Sequence, residues 1–524
     1  MTHLQSSAII IYSVLLGILC GCNQNAPFVQ QTTSGNAYYI SPAGSDAGDG
    51  HKAAPWKTID KLNKTRLTAG DTVYFEGGQT FAGNVFIDSA NATANSPVLI
   101  TSYGNSRAII NGGNSTAVTL YKCSYVHITN INCTGAGRKT GNIKDGVAIN
   151  TCNNITLDGL EIKGFQKSGL LIYASNIVEA NNVHALENGA AGISIAGDYG
   201  KRNCTNIHVI NCSAENNPGD PTNLTNHSGN GIIAGECKNV TIEYCTATNN
   251  GWDMPRIGNG PVGIWCYEAD SVVIQHCISY ANKTSVGGGD GGGYDLDGGV
   301  TNSIIQYCLS YQNQGSAFGI FQYAGATNWH DNVIRYNISE NDGQVSPAHA
   351  GAFIWNSSHD TAQFKNLLFY NNVVYNDKYA AISYDKESDH AGFKFYNNIF
   401  VGKSQLIMGK MQGDIFAGND WWSLDGGFNM ANGITSFANW IATTHQEQYN
   451  GNTVGFNANP LFSTAGKAAI TIPAQLTAFN NYQLPAGSNL RTKGLNLKAL
   501  FGIDNGGKTF NGTTAPEAGI GVSF

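Results

Sequence analysis

The chain reads as an all-β, right-handed parallel β-helix, a solenoid. Three observations predict it. A five-residue unit, Gly-apolar-x-apolar-x, recurs nine times from Gly146 to Ala381. A second apolar unit, ending in Cys or Asn, accompanies it. The copies stand 23 residues apart at the closest (146 to 169) and 39 at the widest (192 to 231), inside the period of about 20–50 residues that marks solenoids. Each coil of such a fold contacts only its neighbours, so a chain of 524 residues escapes the usual size limit on one core.

The first unit is a strand with one buried face. Its copies begin at Gly146, Gly169, Gly192, Gly231, Gly263, Gly293, Gly319, Ala352 and Ala381. Successive side chains of a strand point to opposite sides. Positions one and three therefore face inward together. They read Val147/Ile149, Leu170/Ile172, Ile193/Ile195, Ile232/Ala234, Ile264/Cys266, Tyr294/Leu296, Ile320/Gln322, Phe353/Trp355 and Ile382/Tyr384, and only Gln322 is neither apolar nor aromatic. This is the period-2 pattern of a strand packed on that side.

The second unit ends in one column of residues: Cys212, Cys245, Cys277 and Cys308, then Asn337, Asn372 and Asn398. Stacked one per coil inside a bend, Asn satisfies backbone groups and Cys fills space as a small apolar residue. Ligands placed one per coil do not surround a metal ion, so the column is structural. Two strand types per coil, with Asn-rich corners such as Asn216-Asn217 and Asn249-Asn250, complete the prediction. Where the spacing widens, the extra residues bulge as loops. The stretches 216–230 and 251–261 do so just ahead of the Gly293 coil and wall a groove there.

The ends read differently. Ala8 to Leu19 form an apolar run too short to stay in a membrane, as expected of a leader. The run ends in Leu19-Cys20-Gly21-Cys22, which resembles the bacterial lipobox. That resemblance implies cleavage ahead of Cys22 and a lipid on it. The chain thus divides into a lipoprotein leader (1–22), a flexible tether (23–36), an N-terminal cap with the first coils (37–115), the β-helix core (116–415) and an irregular C-terminal cap (416–524). A helix-like segment around Thr58 to Lys64 covers the open first coil. The expected place is the bacterial cell envelope, with the monomer lipid-anchored at the outer membrane or cell surface. A net charge of −7, from 29 basic and 36 acidic residues, excludes nucleic acid, which needs a basic stripe.

Several segments resemble the pectate-lyase-like β-helix superfamily of secreted bacterial carbohydrate-active proteins. They are Tyr38-Tyr39-Ile40-Ser41-Pro42-Ala43-Gly44-Ser45-Asp46, Pro55-Trp56-Lys57-Thr58-Ile59, Gly70-Asp71-Thr72-Val73-Tyr74-Phe75, Asn459-Pro460-Leu461-Phe462 and Gly519-Ile520-Gly521. The resemblance implies the fold and leaves the reaction open, because the superfamily holds lyases, hydrolases, epimerases and binders.

One coil breaks the outward pattern. Positions two and four read Ile233/Gly235, Trp265/Tyr267, Asp295/Asp297, Phe321/Tyr323 and Ile354/Asn356 on successive copies. Coils sit about 4.8 Å apart, so the two carboxylates lie between aromatic rings. Rings stack on the apolar faces of sugars, and acids act on hydroxyls or the glycosidic oxygen. Glu236 and Glu268 occupy position five of adjacent copies and stack beside the pair. Asp270 follows Glu268, Asp290 sits in the run Gly287 to Gly293, and His227 precedes Gly231.

Three functions fit. A glycoside hydrolase uses Asp295 and Asp297 as acid and base or nucleophile, with Glu268 assisting. Trp265, Tyr267, Phe321, Tyr323, Glu236 and His227 bind the polysaccharide, and no cofactor is needed. A uronate lyase uses Asp290, Asp295, Asp297 and Asp270 to hold Ca²⁺. A glycan-binding protein uses the same surface without chemistry. Only Lys283 supplies a basic side chain between Gly263 and Tyr323. A uronate calls for more, which ranks the hydrolase first.

Overall fold

The computed structural model describes residues 35–385, 389–504 and 519. The leader, Cys22 and nearly all of the tether lie outside the described residues. Strands from Ala37–Ile40 to Asp420–Ser423 join in one 35-stranded sheet of parallel pairs, wound as a right-handed coil. The helix Ile59–Asn63 buries Ile59 and Leu62, and the Thr58 side chain caps it by accepting the N–H of Lys61.

Each coil has three strands, not the two read from the repeat. In one coil, Val262–Gln275 turns a corner at Glu268 and supplies two of them; Ile278–Tyr280 is the third. The third strand is short and buried on both faces, with Ser279, Ser310 and Ser339 stacked on the inner one. Its outward column, Ile278, Leu309, Ile338, Val373 and Ile399, is covered by Leu476, Phe479, Tyr482 and Leu484 from the C-terminal segment. A three-residue strand buried on both sides shows no alternation, so sequence patterning misses it.

The first six copies keep the predicted register: Val147, Leu170, Ile193, Ile232, Ile264 and Tyr294 pair in succession. The remaining three do not, the last pairing Ala352 with Ile382, one residue from the expected Ala381. Asp295 pairs with Gly319, two residues from the expected Phe321. Phe321 pairs with Trp355, one residue from the expected Ile354. A slip of two keeps every side chain on its face, whereas a slip of one exchanges the faces. Ala352 and Ile354 therefore lie in the core, and Phe353 and Trp355 face outward beside Phe321. The structural equivalents of Gly293 are Ala317 and Gly351.

The corners are held by side-chain ladders. Asn188, Asn217, Asn250, Asn282 and Asn313 each donate a backbone N–H and an amide N–H to the side-chain oxygen one coil on, and the run ends on Asp342. The Cys column works likewise. The N–H of Cys245 points to Cys277 Sγ and that of Cys277 to Cys308 Sγ; Asn337, Asn372, Asn398 and Asn419 continue to Glu447. All ten described cysteines are buried free thiols. Both runs end on a carboxyl group, an acceptor with no amide to donate. Burial pushes Asp342 and Glu447 up to about 7 each.

Candidate active site

The strand Gly292–Leu296 carries the outward break. Tyr294 and Leu296 are fully buried in the core, so Asp295 and Asp297 project from the opposite face. Asp295 is only 3% exposed, and its Oδ1 has no hydrogen-bond partner. Leaving such an atom unmet costs about 1–3 kcal/mol, so the position is held against a penalty. The room for it comes from Gly319 on the next coil. A Cβ there would stand 2.7 Å from the Asp295 carboxyl carbon. Asp297 is partly exposed, and its Oδ1 accepts the N–H of Gly298 at 2.7 Å.

Burial raises both carboxyls. It pushes Asp295 well above the usual range, with the charges of Asp297 and Asp290 adding to it. It pushes Asp297 up to about 7 against the Gly298 N–H, with Asp290 and Glu268 adding. Both carboxyls are thus held above the usual carboxylate range. Buried pairs with separated titrations are how active sites obtain an acid and a base from like residues.

On the N-terminal side, Trp265 pairs with Asp295, as expected. Trp265 is buried, however, and is no platform for a sugar. Its Nε1 donates to Asn230 Oδ1 at 3.0 Å, and the His227 ring stands edge-on at 4.9 Å. Burial, then Arg256, holds His227 down at about 4, so it is neutral. The partly exposed ring is Tyr267, which leans over Gly235, where a Cβ would lie 2.2 Å from it. On the C-terminal side the floor is Phe321 with Phe353 and Trp355, at 5.4 and 6.0 Å between ring centroids. His349 stacks on Phe353 at 4.6 Å. Tyr323, past the strand end, leans over Gly298. Burial and then Asp297 and Glu268 raise its phenol.

Phe353, Trp355, His349 and Arg256 escaped the sequence reading. A signal for the first two existed: Gly351-Ala-Phe-Ile-Trp355 fits the Gly-apolar-x-apolar-x unit with Ala352 and Ile354 inside.

The other acids divide by place. Glu268 is engaged. Its carboxylate accepts the N–H and hydroxyl of Thr327 and faces Arg202 at 3.4 Å, while Arg202 also donates to the carbonyl of Gly299 at 2.6 Å. The backbone N–H of Glu268 donates to Gly298 at 2.7 Å. Glu268 is thereby tied to the Gly298-Gly299 bend behind Asp297. Glu236 accepts the N–H of Gly200 at 2.8 Å. Asp290 accepts the N–H of Gly260 at 2.7 Å. Asp270 belongs to the next sheet. Lys238 at 3.0 Å, Asn302 and Thr301 hold it there and, against burial, bring it down to about 2. The four proposed Ca²⁺ ligands are thus not brought together. Among the described residues no three His, Cys, Asp or Glu side chains converge in a way that would hold a metal ion.

The fold and this strand define a parallel β-helix with a pair of carboxyls on its outer face. Residues 38–349 match the family model for the Pel9A-like right-handed β-helix region, and the chain belongs to that family. No curated protein matches it in sequence. Among solved structures, the GH136 lacto-N-biosidase from Eubacterium ramulus superposes with a TM-score of 0.50 and 18% identity, over 72% of this chain and 67% of the other. Pectate lyase Pel9A gives 0.43 and 13%, over 93% and 96%. An alginate lyase from Paenibacillus sp. str. FPU-7 gives 0.38 and 17%, over 64% and 96%. These are likenesses of fold.

Proposed function

We propose that the protein is a polysaccharide-degrading enzyme of the glycoside hydrolase type, with Asp295 and Asp297 as its paired carboxylates. One observation carries this reading: the two acids share one outward strand face, both keep protons to unusual pH, and Asp295 holds an oxygen that no protein group satisfies. In the proposed reaction Asp295 delivers its proton to the glycosidic oxygen. Ionised Asp297 attacks the sugar or activates the water that does. Tyr267, Tyr323 and Trp355 border the pair and offer rings to the sugar. Alternate residues of a strand stand about 6.6 Å apart at Cα, and side-chain lean can bring the carboxyl groups to either the retaining separation (about 5–5.5 Å) or the inverting one (about 6.5–9.5 Å). NMR of the first-formed anomer decides between them.

The charge of the surroundings favours a hydrolase over a uronate lyase. Most cations near the walls are already paired, Arg202 with Glu268, Arg138 and Lys139 with Asp253, and Lys167 with Asp220, and the charge of Arg256 falls on Asp290 and His227. A uronate carboxylate would instead meet Asp290, Asp295 and Asp297. The leader ending at Cys22 supports an exported, lipid-anchored enzyme at the cell envelope, and loss of lipid labelling in Cys22→Ala tests that part.

The test of the reaction is a digest of neutral and uronate polysaccharides by the leaderless protein, with and without a chelator. New reducing ends without ultraviolet absorbance support the hydrolase. Absorbance of unsaturated uronides that disappears with chelator replaces it by a lyase. Neither signal on any polymer leaves a binding protein.

A further inference from the structure

His227 stands beside the Asp pair without belonging to its strand. It lies in the loop ahead of the strand Asn230–Glu243, and its ring meets Trp265 edge-on, one coil from Asp295. The loop is pinned around it. The backbone N–H of His227 donates to Asn226 Oδ1 at 2.9 Å, and Asn223 Nδ2 donates to the His227 carbonyl at 3.1 Å.

The ring itself is set by Asn230, which is buried and uses both ends of its amide. Its Oδ1 accepts the Val262 N–H at 3.3 Å and the Trp265 indole N–H at 3.0 Å. Its Nδ2 donates to the Ala190 carbonyl at 3.1 Å and lies 3.1 Å from His227 Nδ1. Three of these four neighbours have a fixed sense, because the two N–H groups only donate and the carbonyl only accepts. The amide therefore cannot be turned round, and the hydrogen between the two side chains belongs to Asn230. A neutral imidazole that accepts at Nδ1 carries its own hydrogen on Nε2. Protonation would set an imidazolium N–H against the amide N–H, and the charge of Arg256 opposes it further. Nε2 has no hydrogen-bond partner among the described residues, and the ring is half-buried.

We infer that Asn230 is a positioning residue that locks His227 as a neutral Nε2–H donor to an oxygen of the sugar bound beside Asp295. The inference rests on the reading of this groove as a saccharide site and adds the donor, its tautomer and the residue that sets it. Neutrality matters here, because an imidazolium at this place would favour the ionised form of Asp295, and the neutral ring does not.

Proton–nitrogen correlation spectra of the leaderless protein with nitrogen-labelled histidine test it, the His227 signals being assigned by their loss in His227→Phe. The expected parent spectrum is that of the neutral Nε2–H form, unchanged between about pH 5.5 and 8. Asn230→Asp puts an acceptor against Nδ1 where the parent has a donor. In that variant the imidazole titrates inside the window and, above its titration, holds its hydrogen on Nδ1. Binding is read as retardation in gels containing xylan, mixed-linkage β-glucan, polygalacturonate or alginate, and at least one polymer retards the parent. At about pH 8, His227→Phe and Asn230→Asp weaken that retardation about fivefold, the worth of one hydrogen bond, whereas Asp270→Asn on the next sheet does not. Three results overturn the inference: an Nδ1–H or charged His227 in the parent at about pH 7, both variants retarded like the parent, or no retardation of the parent by any of the four polymers. The parent spectrum needs no change at position 230, so an Asn230→Asp chain that fails to fold leaves the test intact. A parent that is retarded but releases no reducing ends removes the hydrolase and leaves the Asn230–His227 assignment standing.

Discussion

The corner ladder from Asn188 to Asp342 and the strand that carries Asp295 are both polar and both buried, yet they treat their polar atoms in opposite ways. Each ladder asparagine meets the next coil through two hydrogen bonds. Asp295 leaves one oxygen unmet. A solenoid can repeat a satisfied contact indefinitely, because each coil offers the same partner to the next. A reacting group has to be left incomplete, so it stands where the repeat fails. Unmet atoms also occur at Asn132, Tyr384, Asp420 and Trp440, so what sets Asp295 apart is an unmet oxygen together with a second acid, Asp297, on the same outward face.

The comparison can be broken most directly at the pair. Asp297→Asn and Asp295→Asn keep the shape but remove the base and the proton; each lowers kcat on the preferred polymer by on the order of 10²–10⁴-fold. The same variants remain folded by circular dichroism, since neither carboxyl closes a ladder. Gly319→Ala places a methyl group 2.7 Å from the Asp295 carboxyl. Displacing that group lowers kcat by about 10²-fold with little change in melting, and a variant with parental kcat would show that Gly319 is only a spacer.

Breaking the satisfied side acts on stability instead. Asn282→Ala removes the acceptor for the backbone and amide N–H groups of Asn250. The expected loss is about 1–3 kcal/mol for each buried donor left unmet, read as a lower urea midpoint. A loss no greater than that of an exposed Asn→Ala change would mean that water replaces the ladder.

The carboxyl ends of the ladders sharpen the comparison by pH. Asp342 and Glu447 hold their protons in the folded chain up to about 7, and burial pushes Asp420 up to about 8. In the unfolded chain these groups lose protons near pH 4. The folded state therefore binds more protons between about pH 4 and 8, and stability falls as pH rises through that window. Urea melts at about pH 5.5 and 8, below and at the upper end of the folded titrations, should give the lower midpoint at the higher pH. Asp342→Asn keeps an acceptor oxygen in the ladder without the titration and should flatten part of that slope; an unchanged slope assigns it to other groups.

The smallest effect is expected at Asp270. Its pair with Lys238 is half-exposed on the lysine side, so Asp270→Asn costs about 0–1 kcal/mol and leaves activity within about twofold of the parent. A large loss of activity restored by added Ca²⁺ would return Asp270 to the metal set of the lyase.

Much of this was legible before any coordinates. The inward pairs from Val147 to Leu296, the buried Cys column, the Thr58 helix and the outward Asp pair follow from periods that one burial rule explains. The errors are equally specific. The repeat pattern places a copy at Gly319 because it is a glycine, but its lack of a Cβ serves the Asp295 carboxyl. The same pattern begun at Ala352 and not Gly351 turns Phe353 and Trp355 inward and hides the aromatic floor. Glu268 read as a reacting acid because its partners, Arg202 and Thr327, lie 66 and 59 residues away.

The sequence by itself determined that the chain coils, which side of most strands packs, and that one coil presents two acids where its neighbours present rings. Those features follow from alternation along a single strand, a local property. The tertiary structure alone decided which residues of adjacent coils meet, which acids are neutralised by partners, and that Asp295 is not. Register between coils depends on loop lengths and on the fit of side chains to the next turn, and a slip of one or two residues leaves no trace in composition or period.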